Sequence, residues 1–113
     1  MDLLCNNEQK VKVTFTGMDN APVPKPAPLY GPIGVSVVNG DGSFEVEADG
    51  VSAYFASGPG VPVPGTPLVT QYKVHAEGDP TPGVDPLDMD VYLHATLAEA
   101  ASLGAVASAP EFK

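Results

Sequence analysis

The sequence predicts one all-β domain, an antiparallel β-sandwich of six to eight short strands, and three observations predict it. Apolar and polar residues alternate with period two in several short runs. Clusters of Gly, Pro, Asn and Asp separate those runs at spacings of roughly 8–12 residues, as sandwich turns do. No helical pattern is long enough for a βαβ crossover, which removes doubly wound α/β architectures. A chain of 113 residues is too short for two cores of useful size, so residues 1–7 are expected to form an N-terminal tail and 8–113 the domain.

The strands follow in order. In Lys10-Val11-Lys12-Val13-Thr14-Phe15-Thr16 the apolar side chains Val11, Val13 and Phe15 share one face. Pro22, Pro24, Pro26 and Pro28 occupy every second position next, which strips amide donors from one side of the backbone and confines the segment to an edge or a connection. Ile33, Val35 and Val37 alternate again up to Asn39-Gly40-Asp41-Gly42, residues that tolerate positive φ and are expected to close a tight hairpin. Phe44, Val46 and Ala48 form a short strand with Glu45 and Glu47 outward, and Asp49-Gly50 turns into an apolar strand over 51–57. Residues 58–65, Gly-Pro-Gly-Val-Pro-Val-Pro-Gly, are expected to be an exposed loop. The two cleanest strands come last, with Leu68, Thr70, Tyr72, Val74 and Ala76 inward on one, and Leu87, Met89, Val91, Leu93 and Ala95 inward on the other. A Pro/Gly/Asp loop at 78–86 joins them. Thr96-Leu97-Ala98-Glu99 fits either a capping box that opens a short helical turn ended by Gly104, or the continuation of a final strand.

Charge excludes two classes of partner. Five Lys stand against fourteen Asp and Glu, a formal net charge of −9, so the long-range field repels nucleic acid and anionic lipid headgroups. No apolar stretch is long enough to span a bilayer. Cys5 is the single cysteine, which rules out an intrachain disulfide and is compatible with a reducing cytoplasm. The start Met1-Asp2-Leu3-Leu4-Cys5 lacks the basic residues and long apolar run of a secretion signal.

Catalytic and metal chemistry find little support. If the strands 68–77 and 87–96 pair antiparallel with matched outward faces, paired residue numbers sum to an odd number, near 165. That register places His75 opposite Asp90 and His94 opposite Gln71, too far apart to share a metal ion and suited to a solvated His–Asp pair. No Ser or Cys is placed for activation by either histidine. Asp79, Asp85, Asp88 and Asp90 are the candidate Ca²⁺ ligands, since carboxylates at a sandwich end can supply hard oxygens, but their spacing matches no calcium loop. Asn39, Asp41 and Ser43 imitate the start of an EF-hand without its helices or distal Glu. Prolines interrupt 58–65 where a phosphate cradle needs amide donors. Tyr30, Tyr54, Tyr72 and Tyr92 are expected to pack at the core edge or across strands. No catalytic residue and no cofactor is expected.

The runs Glu47-Ala48-Asp49-Gly50-Val51-Ser52-Ala53, Gly58-Pro59-Gly60 and Val74-His75-Ala76-Glu77-Gly78-Asp79, with Asn20-Ala21-Pro22-Val23 nearer the start, resemble bacterial immunoglobulin-like domains of the group-2 kind. The resemblance covers roughly residues 8–100 and is strongest to short stand-alone versions in phage and prophage genomes. It implies an Ig-like sandwich, a structural or adhesive role on a virion or cell surface, and no catalytic residues. Extra prolines in both loops depart from the family pattern. The expected working surfaces are the loops 20–32, 58–66 and 78–86, or an edge strand that pairs with a protein partner or a second copy in a homo-oligomer. A Ca²⁺- or carbohydrate-binding sandwich is the alternative.

Overall fold

A computed structural model describes residues 1–79, 81, 83, 85–99 and 103–113. Nine strands follow one another: β1 (Asp2–Asn6), β2 (Lys10–Thr14), β3 (Gly17–Met18), β4 (Pro26–Ala27), β5 (Gly34–Asn39), β6 (Ser43–Val46), β7 (Ser52–Ala56), β8 (Leu68–Ala76) and β9 (Leu87–Thr96). The protein is all-β, with no helix among the described residues. Sheet order is β1-β9-β8-β5 in one sheet and β2-β7-β6 in a second, while β3 and β4 form a two-stranded ribbon.

Alternation places the core. Tyr72, Val74, Val91 and Leu93 of the four-stranded sheet join Val13, Ala53 and Phe55 of the three-stranded sheet in one buried cluster with Leu3 and Ile33. Phe55 and Tyr72 meet edge to face across the two sheets with centroids 4.8 Å apart, a geometry that aligns the positive ring edge with the negative face. Tyr72 is completely buried, and its hydroxyl donates to the carbonyls of Ser43 (2.9 Å) and Ala56 (3.1 Å). A strand of one sheet is thereby stitched to two strands of the other. Burial pushes the Tyr72 phenol up to about 12, because the charged form would lose its water.

Four expectations change. Residues 2–6 are not part of a tail: they form β1, which lies parallel to β9 with Leu3 opposite Leu93, and Leu3 is buried. Parallel pairing depends on a strand far along the chain and leaves no local turn signal, and it also departs from the purely antiparallel expectation. Asn39-Gly40-Asp41-Gly42 does not close a hairpin, because β5 pairs with β8 and β6 pairs with β7. The turn instead carries the chain from one sheet to the other. Gly42 passes so close to the Tyr72 hydroxyl and the Thr70 side chain that a Cβ would collide with both, and its amide donates to Thr70 Oγ1 at 3.1 Å.

The β8–β9 register is the third change. It sums to 163, so the faces match as expected but His75 stands opposite Asp88 and His94 opposite Val69. The fourth concerns the capping box. Thr96 is the last residue of β9, its hydroxyl donating to the Cys5 carbonyl at 3.4 Å, and residues 97–99 have no regular structure. Most of the remainder of the proposed helical turn, 100–102, lies outside the described residues.

Candidate binding surface

The strand ends decide which loops meet. β8 finishes at Ala76 and β9 begins at Leu87, and the two are paired, so the loop 78–86 emerges at the end of the sheet where β5 starts, with Gly34 opposite His75. The segment 17–32 arrives at the same end, anchored by the Tyr30 amide donating to the Glu77 carbonyl at 2.8 Å. Two of the three expected loops therefore converge. The third, around 58–66, lies at the opposite end, where Gly60 donates to Asp41 Oδ2 at 3.1 Å. There Gly58 abuts the Asp41 backbone so closely that no Cβ fits.

Between the converging loops runs an open groove of about 420 Å³, walled by Met18, Asp19, Pro28 and Leu29 on one side and Asp79, Asp85 and Leu87 on the other. A second, more apolar groove of about 270 Å³ adjoins it between Phe15, Met18 and Leu29 and the ends of β8 and β9 at Val74, Leu87 and Met89. Met18 and Leu87 border both, each about half exposed at 52%. Flexible thioethers on a groove wall suit an irregular apolar ligand surface, and the carboxylates give the rim its charge.

Two of those carboxylates, Asp19 and Asp79, are engaged by the backbone. Asp19 Oδ1 accepts the amides of Ala21 (3.2 Å) and Lys25 (3.0 Å), folding the proline-rich segment into a fixed loop. Asp79 Oδ1 accepts the Thr81 amide at 2.9 Å. Hydrogen bonds from the Thr81 side chain and backbone hold the Asp79 carboxyl below its ordinary value, since they favour the ionised form. Asp88 borders the second groove and pairs with His75, whose Nδ1 lies 2.6 Å from Asp88 Oδ1. Asp90 stands opposite Lys73 on the outer face of the sheet. The four calcium candidates are thus split between groove and sheet face. Among the described residues no three His, Cys, Asp or Glu side chains come close enough to hold a metal ion.

The histidines are separated further than the sequence suggested. His94 pairs through Nε2 with Asp2 Oδ1 at 3.3 Å, and its rung on β8 is Val69, six positions from His75, or about 20 Å along a strand. Neither lines the grooves. Cys5 packs against the core from β1, and partial burial pushes its thiol up, away from the thiolate a nucleophile needs.

With that geometry described, comparison with known proteins adds no relative. The chain matches no family model, no curated protein and no solved structure.

Two features escaped the sequence reading. Asp19 and Met18 were not singled out, though Asp19-Asn20 before a proline run is an Asx-turn signal. The chain of side chains Thr14, Ser52 and Asp49 was also missed. Thr14 Oγ1 lies 2.9 Å from Ser52 Oγ, which donates to Asp49 Oδ2 at 2.8 Å, while Asp49 Oδ1 accepts the amides of Val51 (3.0 Å) and Ser52 (2.9 Å). The Val51 amide, then the Ser52 hydroxyl, hold the Asp49 carboxyl below its ordinary value. With its carboxylate taken up by these bonds, Asp49 closes the β6–β7 turn and ties it to Thr14 on β2.

Proposed function

We propose that the chain is a non-enzymatic, Ig-like β-sandwich module with a structural or adhesive role, which binds a protein partner at the grooved end of its four-stranded sheet. The observation that carries the reading is the convergence of the 17–32 and 78–87 segments around the 420 Å³ groove, with half-exposed Met18 and Leu87 on its walls. Loops fixed by Asp19 and by the Tyr30–Glu77 hydrogen bond cost little entropy on binding. The two sheets sharing one core support the sandwich; the Ig-like assignment and a place on a phage particle rest on the sequence resemblance.

The test is recovery of the protein with its assembly. Quantitative mass spectrometry of purified phage particles and of cell envelopes from the producing strain is expected to find the chain in near-stoichiometric ratio to a structural protein. Met18→Glu is expected to abolish that recovery, whereas Val63→Glu, in the loop at the far end, is expected to leave it intact. Recovery only in the free soluble fraction, or equal loss with both variants, overturns the reading. Calcium discriminates the alternative role: a site with Kd near 50 µM would add about 2.7 kcal/mol of stability at 5 mM Ca²⁺, and an unchanged melting temperature is expected.

A further inference from the structure

Four strands bound the two larger sheets, and they are not equally guarded. β2 carries Lys10 and Lys12, with Lys10 Nζ 4.1 Å from the Tyr54 ring centre. β6 carries Glu45, with Glu47 following, and β5 has a register shift between Val37 and Asn39. Charges and irregularities of these kinds block the approach of another strand. β1, Asp-Leu-Leu-Cys-Asn, has no lysine, proline or bulge, and its one charge, Asp2, faces His94. Tyr92 N donates to Met1 O and Asn7 N donates to Thr96 O, so the odd-numbered peptide groups of β1 turn toward β9. The peptide groups of Asp2 and Leu4 then point off the sheet, beside a Leu4 side chain that is 78% exposed.

A complementary segment exists in the same chain. Residues 103–109, Leu-Gly-Ala-Val-Ala-Ser-Ala, carry neither charge nor proline. Leu103 and Val106 are fully exposed, at 99% and 100%. The molecule is 78 Å long and only 28 Å across, whereas ten-residue β9 accounts for about 33 Å. The C-terminal segment therefore stands clear of its own body. Copies with a net charge of −9 repel one another, so an uncharged segment is the part of one copy that can approach another at least electrostatic cost.

We propose that residues 103–109 of one copy add as a strand to the free edge of β1 in a second copy. Main-chain hydrogen bonds supply the pairing and Leu4 and Val106 the apolar contact. A head-to-tail contact of this kind joins copies into rings or filaments according to whether the rotation closes. The inference rests on the reading of the chain as a structural module, and its test probes the contact itself, so failure here leaves that reading to its own experiment.

The test uses two populations in a Cys5→Ala background, one tagged and carrying Leu4→Cys, the other untagged and carrying Val106→Cys. They are mixed at about 100 µM and treated with a short bismaleimide. The control pair replaces Leu4→Cys by Val38→Cys, on the guarded β5 edge. A tagged–untagged crosslink at least fivefold above the control is expected, and adding Ala105→Pro with Ser108→Pro to the tail is expected to return it to control level. These prolines remove donors from both sides of an exposed segment and spare the core. Equal yields for the two edges overturn the proposal, as does insensitivity to the prolines. A third preparation carries Leu4→Cys and Val106→Cys in one chain, and a crosslink that forms within that chain but not between the two populations also overturns the proposal.

Discussion

Removing one oxygen atom from Tyr72 tests how the two sheets are joined. Tyr72→Phe keeps the ring that packs against Phe55 and Phe44 and deletes the hydroxyl that donates to Ser43 and Ala56. Net loss of a buried hydrogen bond, together with carbonyl groups left short of a donor where water cannot enter, costs about 1–3 kcal/mol. A central value of about 2 kcal/mol corresponds to a fall in melting temperature of about 8 °C for a domain of this size. In urea the midpoint is expected to fall by about 1 M at unchanged slope. Alkali provides an independent check. The folded phenol titrates near 12, above its unfolded value of about 10, so the folded state holds this proton more tightly. The resulting stability is fully present below about pH 10 and is lost as pH rises through 10 to 12. Wild type is expected to show a decline across that window that Tyr72→Phe shows less strongly. A variant within 0.5 kcal/mol of wild type, with the same alkaline profile, would refute the stitch between sheets.

Gly58→Ala is expected to destabilise by about 1–3 kcal/mol, because its Cβ would meet the Asp41 backbone, which cannot swing aside as a side chain can; thermal melting measures it. Asp49→Ala removes the acceptor for Val51 and Ser52, so the variant is expected to melt below wild type at pH 7. The depressed Asp49 carboxyl stabilises the fold above its unfolded pKa and loses that contribution as pH falls through the folded value. The gap between the two melting temperatures is therefore expected to narrow below about pH 4. His75→Gln breaks the contact to Asp88, but both groups are largely exposed, at 43% and 49%. The expected change is below about 1 kcal/mol and falls further in high salt, as urea titrations at two ionic strengths would show.

The faces of β2, β8 and β9 were legible because a buried face enforces period two: Val13, Tyr72, Val74, Val91 and Leu93 all point inward as their spacing requires. The same logic fixed the parity of the β8–β9 pairing. It did not fix the register, since any shift by two keeps the faces matched, and Ala76 and Leu87 are joined by a long loop rather than by a two-residue hairpin turn that would set the pairing. Leu87 and Met89 sit on the inward side yet remain 52% and 42% exposed, because β9 runs past the edge of the core and becomes a groove wall. β1 was hidden because Leu3-Leu4-Cys5 has no alternation and its partner is remote. Asn39-Gly40-Asp41-Gly42 misled because positive-φ residues permit a reversal without saying which sheet receives the chain. The groove was half legible: loops 20–32 and 78–86 were recognisable from composition, but that they share an end follows from strand order alone.

The place of β1 beside β9 has a kinetic consequence. Asp2 meets Tyr92, and the two are 90 positions apart in the chain, so the contact closes one of the longest loops the sequence allows. Until β9 has been synthesised, β1 has no native strand to pair with, and Leu3 and Leu4 are left open to solvent and to other nascent chains. Contacts of such high sequence separation slow folding, and unpaired apolar strands in the interval are prone to misassembly. Refolding from urea is therefore expected to be slowed by this end-to-end search, and pulsed hydrogen exchange is expected to find the N-terminal strand the last part of the larger sheet to become protected.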